Sequence, residues 1–177
     1  MFQKRTILSA FLLLPCFCAA SGYDHFINLT IRQAVPADAD VVAQFNVELA
    51  RESENLVLEP ARVKAGVEAL LRDPAKGTYF VAEADGVVLG QLLITHEWSD
   101  WRNGDFWWLQ SVYVRPDARR RGVFQALFDH VLAEAKRQGG VAGLRLYVEQ
   151  HNDPALKTYR RLGLQETHYQ VMERLVL

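Results

Sequence analysis

The chain has 177 residues, half of them hydrophobic, with 20 basic against 21 acidic side chains and a formal charge of −1. That balance describes one globular domain with a core of ordinary size, and excludes both a disordered chain and a general polyanion binder. Both cysteines, Cys16 and Cys18, lie near the start, so the remainder has neither a disulfide framework nor a thiol nucleophile.

The opening "MFQKRTILSAFLLLPCFCAASG" carries Lys4 and Arg5, an apolar run from Ile7 to Ala20, and small residues at its end. This is the pattern of a secretory signal peptide, too short for a membrane span; a misplaced start codon is the competing reading. Residues 1–28 are therefore expected to be an extension outside the fold, and residues 29–177 a single domain.

"LTIRQAV" predicts a strand, after which Pro36 and Asp38 open a helix with Val41, Val42, Phe45 and Leu49 on one face. A second helix follows Pro60, carries Val63, Val67, Leu70 and Leu71, and stops at "DPAKG". "TYFVAEA" and "VVLGQLLIT" flank Asp85-Gly86, the strongest local hairpin signal. The polar and aromatic "HEWSDWRNGD" predicts a loop before the strand "FWWLQSVYV". A helix from about Gly122 to Gln138 buries Val123, Leu127, Val131 and Leu132, and Gly139-Gly140 stops it. "LRLYVE" predicts a strand, and Asn152 or Asp153 caps a short helix that Gly163 ends. The alternation in "ETHYQVMERLV" predicts a last strand. The expected fold is mixed α/β in the order β-α-α-β-β-β-α-β-α-β, a central sheet flanked by helices.

"VRPDARRRGVFQAL" places Arg115, Arg119, Arg120 and Arg121 just before Gly122 and a helix start. A nucleic-acid patch, a solvated face and a phosphate cradle all fit that run. A helix N-terminus offers unpaired amides and the positive end of the macrodipole, glycine admits close backbone approach, and arginine pairs with phosphate oxygens. Neither G-x-x-x-x-G-K-[ST] nor G-x-G-x-x-G occurs.

Val114 to Phe124 resembles the acetyl-CoA motif of the GNAT N-acetyltransferases, V-x-P-x-x-[RQ]-x-x-G-x-[GA]. Asn152 to Leu164 is similar to that family's N-x-x-A-x-x-x-Y-x-x-x-G-[FL] segment. The order of elements over about residues 29–177 agrees with the same family. The resemblance implies acetyl-CoA as co-substrate. The amides of Arg119, Arg120, Arg121, Gly122, Val123, Phe124 and Gln125 would hold its pyrophosphate. Val112 and Val114 would pair with the pantetheine arm as an added strand. Asn152 would contact the cofactor, and Tyr159 would stand beside the sulfur. Phe124 departs from the motif, which has Gly or Ala there; its side chain must turn away from the phosphates.

The implied reaction is direct transfer of an acetyl group to a primary amine of a small molecule or protein. The amine must lose a proton, and the departing thiolate must gain one. Tyr159 is the candidate acid. Glu97 is the candidate base, with Asp100, Glu149 or a water chain as alternatives. "EWSDWRNGDFWWLQSV" is distantly similar to the diamine acetyltransferase branch, with Gln110 and Ser111 replacing the two carboxylates of its L-E-D. Polyamine acetylation is thus secondary, as is a non-catalytic acyl-CoA sensor. Trp98, Trp101 and Gln110 are expected at the acceptor, and Trp107 and Trp108 are divided between core and surface. The five histidines have no ligand spacing, so no metal is expected. Neither a nucleic-acid nor a membrane partner is expected; a homodimer stays open. A cytosolic donor favours a cytoplasmic protein, with export the alternative if the first 22 residues are a true signal.

Overall fold

The computed structural model describes residues 28–176, and the signal-like segment read in the first 22 residues lies outside them. The elements are β1 (Thr30–Gln33), α1 (Ala39–Glu54), α2 (Pro60–Leu71), β2 (Thr78–Ala84), β3 (Val87–Ser99), β4 (Gly104–Val114), α3 (Val123–Gln138), β5 (Val141–Leu146) and α4 (Asp153–Arg161). The sheet runs in order β1-β2-β3-β4-β5; its first four strands pair antiparallel, and β5 pairs parallel to β4. A parallel pair requires a crossover, and α3 supplies it.

Each face of the sheet has its own core. On one face Phe80, Ala82, Leu92, Ile94, Trp107 and Leu109 pack against Leu127, Phe128 and Val131 of α3. On the other, Tyr79, Val81 and Leu93 pack against Val42 and Ala43 of α1 and Val67 of α2. Because β2 is covered on both sides, "TYFVA" reads as a continuous apolar run.

The chain start is fastened electrostatically. Asp38, nearly buried, accepts two hydrogen bonds from Arg32 of β1, at 2.7 and 3.0 Å, and one from the Val35 amide. Arg32 also reaches Glu83 of β2 at 2.7 Å. The Arg32 hydrogen bonds outweigh burial and hold the Asp38 carboxyl below its ordinary range, and Asp38 in turn raises the guanidinium.

Three expectations change. The stretch expected as a loop, "HEWSDWRNGD", is mostly strand: β3 continues to Ser99, β4 begins at Gly104, and only Asp100 to Asn103 turn. Polar residues there alternate on a ladder and do not break it, as the pairing of Glu97 with Phe106 and Trp98 with Asp105 records. The strand expected at "LRLYVE" is β5, which starts and ends three residues earlier. Gly143 hides it in the sequence, yet glycine is what the Phe106 ring requires: a Cβ there would lie 3.0 Å from that ring. The last strand, "ETHYQVMERLV", has no strand partner, and Val171, Met172, Leu175 and Val176 are 70–95% exposed. Alternation alone does not make a strand without a neighbouring ladder.

Asp38→Asn should lower unfolding free energy by about 2–3 kcal/mol, because the bonds lost are charge-assisted and partly buried. A carboxylate with a depressed folded pKa stabilises above its unfolded value and loses that contribution as pH falls. The gap between variant and parent should therefore narrow below about pH 4, which urea titrations at pH 7 and pH 3 would measure.

Candidate active site

Strand β4 carries one residue too many for its partner. Gln91 pairs with Tyr113 and Leu93 with Gln110, so Ser111 and Val112 together face Leu92. Ser111 takes the left-handed conformation, φ 47°. This β-bulge reverses the alternation of side chains. Before it, Trp107 and Leu109 face α3; after it Val112 and Val114 do, while Tyr113 turns to α1 and packs on Phe45 at 5.0 Å. Buried Gln91 pins the bulge, donating to the Ser111 carbonyl at 3.3 Å and to Asn46 Oδ1 of α1 at 2.8 Å. Asn46 in turn donates to the Tyr79 hydroxyl at 2.9 Å.

The bulge coincides with the end of the parallel pair. β5 follows β4 only as far as Leu109 opposite Leu146. From Gln110 to Val114, β4 is hydrogen-bonded to β3 on one side and, among the described residues, has no strand on the other. This leaves a backbone edge on which an extended ligand can pair.

Beside that edge α3 begins without a cap. Gly122 occupies the N-cap at φ 82° and no side chain caps the helix; the first helical bond runs from the Ala126 amide to the Gly122 carbonyl. By contrast, Glu59 caps α2 and Asn152 caps α4. The Arg119 amide donates to the Pro116 carbonyl at 3.4 Å, whereas the amides from Arg120 to Gln125 meet no acceptor among the described residues, at the positive end of a 16-residue helix.

The motif arginine, though exposed, folds back onto β4 and α1. Arg119 donates from Nε to the Val114 carbonyl at 2.9 Å and from its terminal nitrogen to Glu52 of α1, whose other oxygen accepts from Tyr113 at 3.0 Å. Burial raises the Glu52 carboxyl, but the Arg119 and Tyr113 bonds outweigh it and leave the group below its ordinary range. Arg119 therefore braces the turn against β4 and α1. Arg120 and Arg121 are exposed and make no ion pair among the described residues.

Phe124 turns away from the free amides. Its ring meets Phe128 at 6.2 Å and the edge of Tyr159 at 5.7 Å, joining the first turn of α3 to α4. Burial pushes the Tyr159 hydroxyl up, so it stays protonated through neutral pH. Asn152 spends its Oδ1 on the Ala155 amide at 3.2 Å and keeps its amide donors.

The remaining candidates are less well placed. Glu97 accepts from Arg145 at 2.8 Å on one oxygen and from the Trp108 indole at 2.5 Å on the other, so both oxygens are engaged. Asp100 and Glu149 each accept a local backbone amide. Gln110, next to the bulge, donates to Thr95 at 2.5 Å. Trp98 and Trp101 are 61% and 83% exposed at the hairpin end of β3 and β4. Trp98 lies opposite Asp105, six residues and about 20 Å along β4 from Ser111. The structure does not bring those two tryptophans to the bulge. Sequence reading missed Glu52, Asn46, Tyr79 and Gln91. Only Gln91 left a signal, as a lone amide in an apolar strand.

A family model described as the acetyltransferase (GNAT) family matches residues 43–164, and the chain belongs to that family. The structure of a possible acetyltransferase from Clostridium difficile 630 is 42% identical with a TM-score of 0.79, covering 84% of this chain and 98% of that one. An uncharacterized N-acetyltransferase of Methanocaldococcus jannaschii is 30% identical over 89 residues, 50% of this chain; the chain spans 39% of that relative's length. The aminoglycoside N-acetyltransferase AAC(6')-Iy, in complex with CoA, shares the fold at 20% identity and TM-score 0.70, over 85% of this chain and 97% of that one.

If Arg119 acts through Glu52, then Arg119→Gln and Glu52→Gln should each weaken CoA binding about threefold to tenfold. The double variant should lose no more than the worse single one. Calorimetric titration would measure it, and additive losses would place Arg119 on the ligand instead.

Proposed function

We propose that the protein transfers an acetyl group directly from acetyl-CoA to a primary amine. The observation that carries this reading is the uncapped N-terminus of α3 lying beside the unpaired edge of β4. Free amides from Arg120 to Gln125 suit a pyrophosphate, with Arg120 and Arg121 adding positive field. The edge at Val112 and Val114 suits the pantetheine amides. Such placement leads the thioester to the bulge, where an unpaired β4 amide can stabilise the oxyanion.

In the reaction the amine nitrogen bonds the thioester carbonyl carbon and the C–S bond breaks. The electron pair leaves on sulfur, and the nitrogen loses its proton to solvent through water. Tyr159 supplies a hydroxyl donor to the departing thiolate and regains its proton from solvent. Raised by burial, the hydroxyl stays protonated through neutral pH and remains available as the donor. The acid limb of the rate profile thus belongs to the acceptor amine. Glu97, bound to Arg145 and Trp108, is better read as a positioning residue for β5 than as the base. Gln110 and Ser111 present a neutral surface, which favours a simple amine over a polyamine. The donor's compartment favours a cytoplasmic enzyme; no described helix is long and apolar enough to cross a membrane.

Thiol release from acetyl-CoA across a panel of amines and N-terminal peptides tests the reading; no release with any of them would overturn it. Tyr159→Phe should lower kcat by about 10²-fold or more with the CoA dissociation constant unchanged. An unchanged kcat would remove Tyr159 from the chemistry.

A further inference from the structure

A cavity of about 390 Å³ opens between α1 and α2 on the sheet face opposite α3, and the bulge residue Ser111 forms part of its wall. Leu49 of α1, Leu56 and Leu58 of the connection, and Val63 and Leu70 of α2 make its sides aliphatic. Its polar end consists of Asn46, Tyr79 and Ser111, the groups that Gln91 ties together. Tyr79 accepts from Asn46 there and keeps its own hydroxyl proton to donate. Glu54, exposed at the end of α1, is the one acidic or basic lining residue and makes no ion pair or hydrogen bond among the described residues.

We infer that this cavity receives the acceptor, and that the acceptor is a primary amine carried on an aliphatic or aromatic group, with a single positive charge. The inference rests on the acetyl-transfer reading above and adds its substrate class. Three observations carry it. The cavity reaches Ser111, in the segment of β4 that β5 no longer pairs, so a molecule inside it lies next to the proposed donor edge. The aliphatic walls gain from burying an apolar body and offer no partners to the hydroxyls of an aminosugar. One carboxylate at the entrance attracts one ammonium, whereas a polyamine would leave further charges against leucine and valine.

The wall also contains a natural site for filling the cavity. Gly66 lies on the same face of α2 as Val63, Val67 and Leu70, and a Cβ built on it meets no atom within 4 Å. Gly66→Leu therefore replaces a weak helix former with a strong one while occupying the cavity.

The test measures thiol release from acetyl-CoA with hexylamine, 2-phenylethylamine, spermidine and kanamycin, alongside calorimetric CoA binding, for parent and Gly66→Leu. The two apolar amines should show kcat/KM at least tenfold above spermidine and kanamycin. Gly66→Leu should lower their kcat/KM at least tenfold, chiefly through KM, with melting temperature no lower and CoA affinity within twofold of the parent. Three results overturn the acceptor class alone while CoA still binds. They are preference for spermidine or kanamycin, no release with either apolar amine, or an unchanged KM in the variant. Failure to bind CoA overturns the acetyl-transfer reading itself.

Discussion

Ser111 and Val112 share a single partner residue on β3, and the placement of every candidate group depends on that insertion. Without it, the residue after Gln110 would continue the alternation, and Tyr113 would point toward α3. With it, Tyr113 reaches α1 and Glu52, while Val112 and Val114 remain in the α3 core. The strained position is held by a buried amide: Gln91 grips the Ser111 carbonyl and Asn46 together. A left-handed serine inside a strand persists only where its surroundings determine it, and this column of side chains supplies the determination. The same point marks where β5 leaves β4, so the bulge and the exposed edge adjoin on one strand.

Electrostatics then divides the labour among residues that look alike in sequence. The arginines at 119, 120 and 121 are neighbours, but only Arg119 finds a carboxylate, and that carboxylate belongs to α1. The brace fixes the turn, leaving the amides of α3 pointing at solvent beside two arginines that form no ion pair among the described residues. The anion site proposed here is thus local, in a chain of almost zero net charge. Phe124 belongs to the same arrangement: its ring fills the contact between α3 and α4 and orients Tyr159, while its backbone stays in the free turn.

The segments proposed to hold the donor stand out in the sequence because their signals are local. Gly122, the arginines before it and the helix after it stand within a dozen residues, and the Asn152–Tyr159 segment is likewise contiguous. The helices and the Asp85-Gly86 hairpin were readable for the same reason. What remained hidden depends on residues distant in the chain. Glu52 and Arg119 are 67 positions apart, and nothing in the local pattern links them. A dense run of tryptophans resembles a pocket wall in sequence, while register puts Trp98 and Trp101 at a hairpin end. The cavity proposed for the acceptor is built from ordinary leucines and valines of two amphipathic helices, indistinguishable in sequence from core residues. The tail shows the opposite error, since Glu166 to Val176 alternates like a strand but joins no ladder among the described residues.

The central claim is that the free amides at the start of α3 and the open edge of β4 together hold the donor. Backbone hydrogen exchange with and without CoA reads both directly. The account predicts slowed exchange confined to the amides of Arg120 to Gln125 and the β4 edge around Val112 and Val114. Protection centred elsewhere, with those amides exchanging as fast as in the free protein, would contradict it.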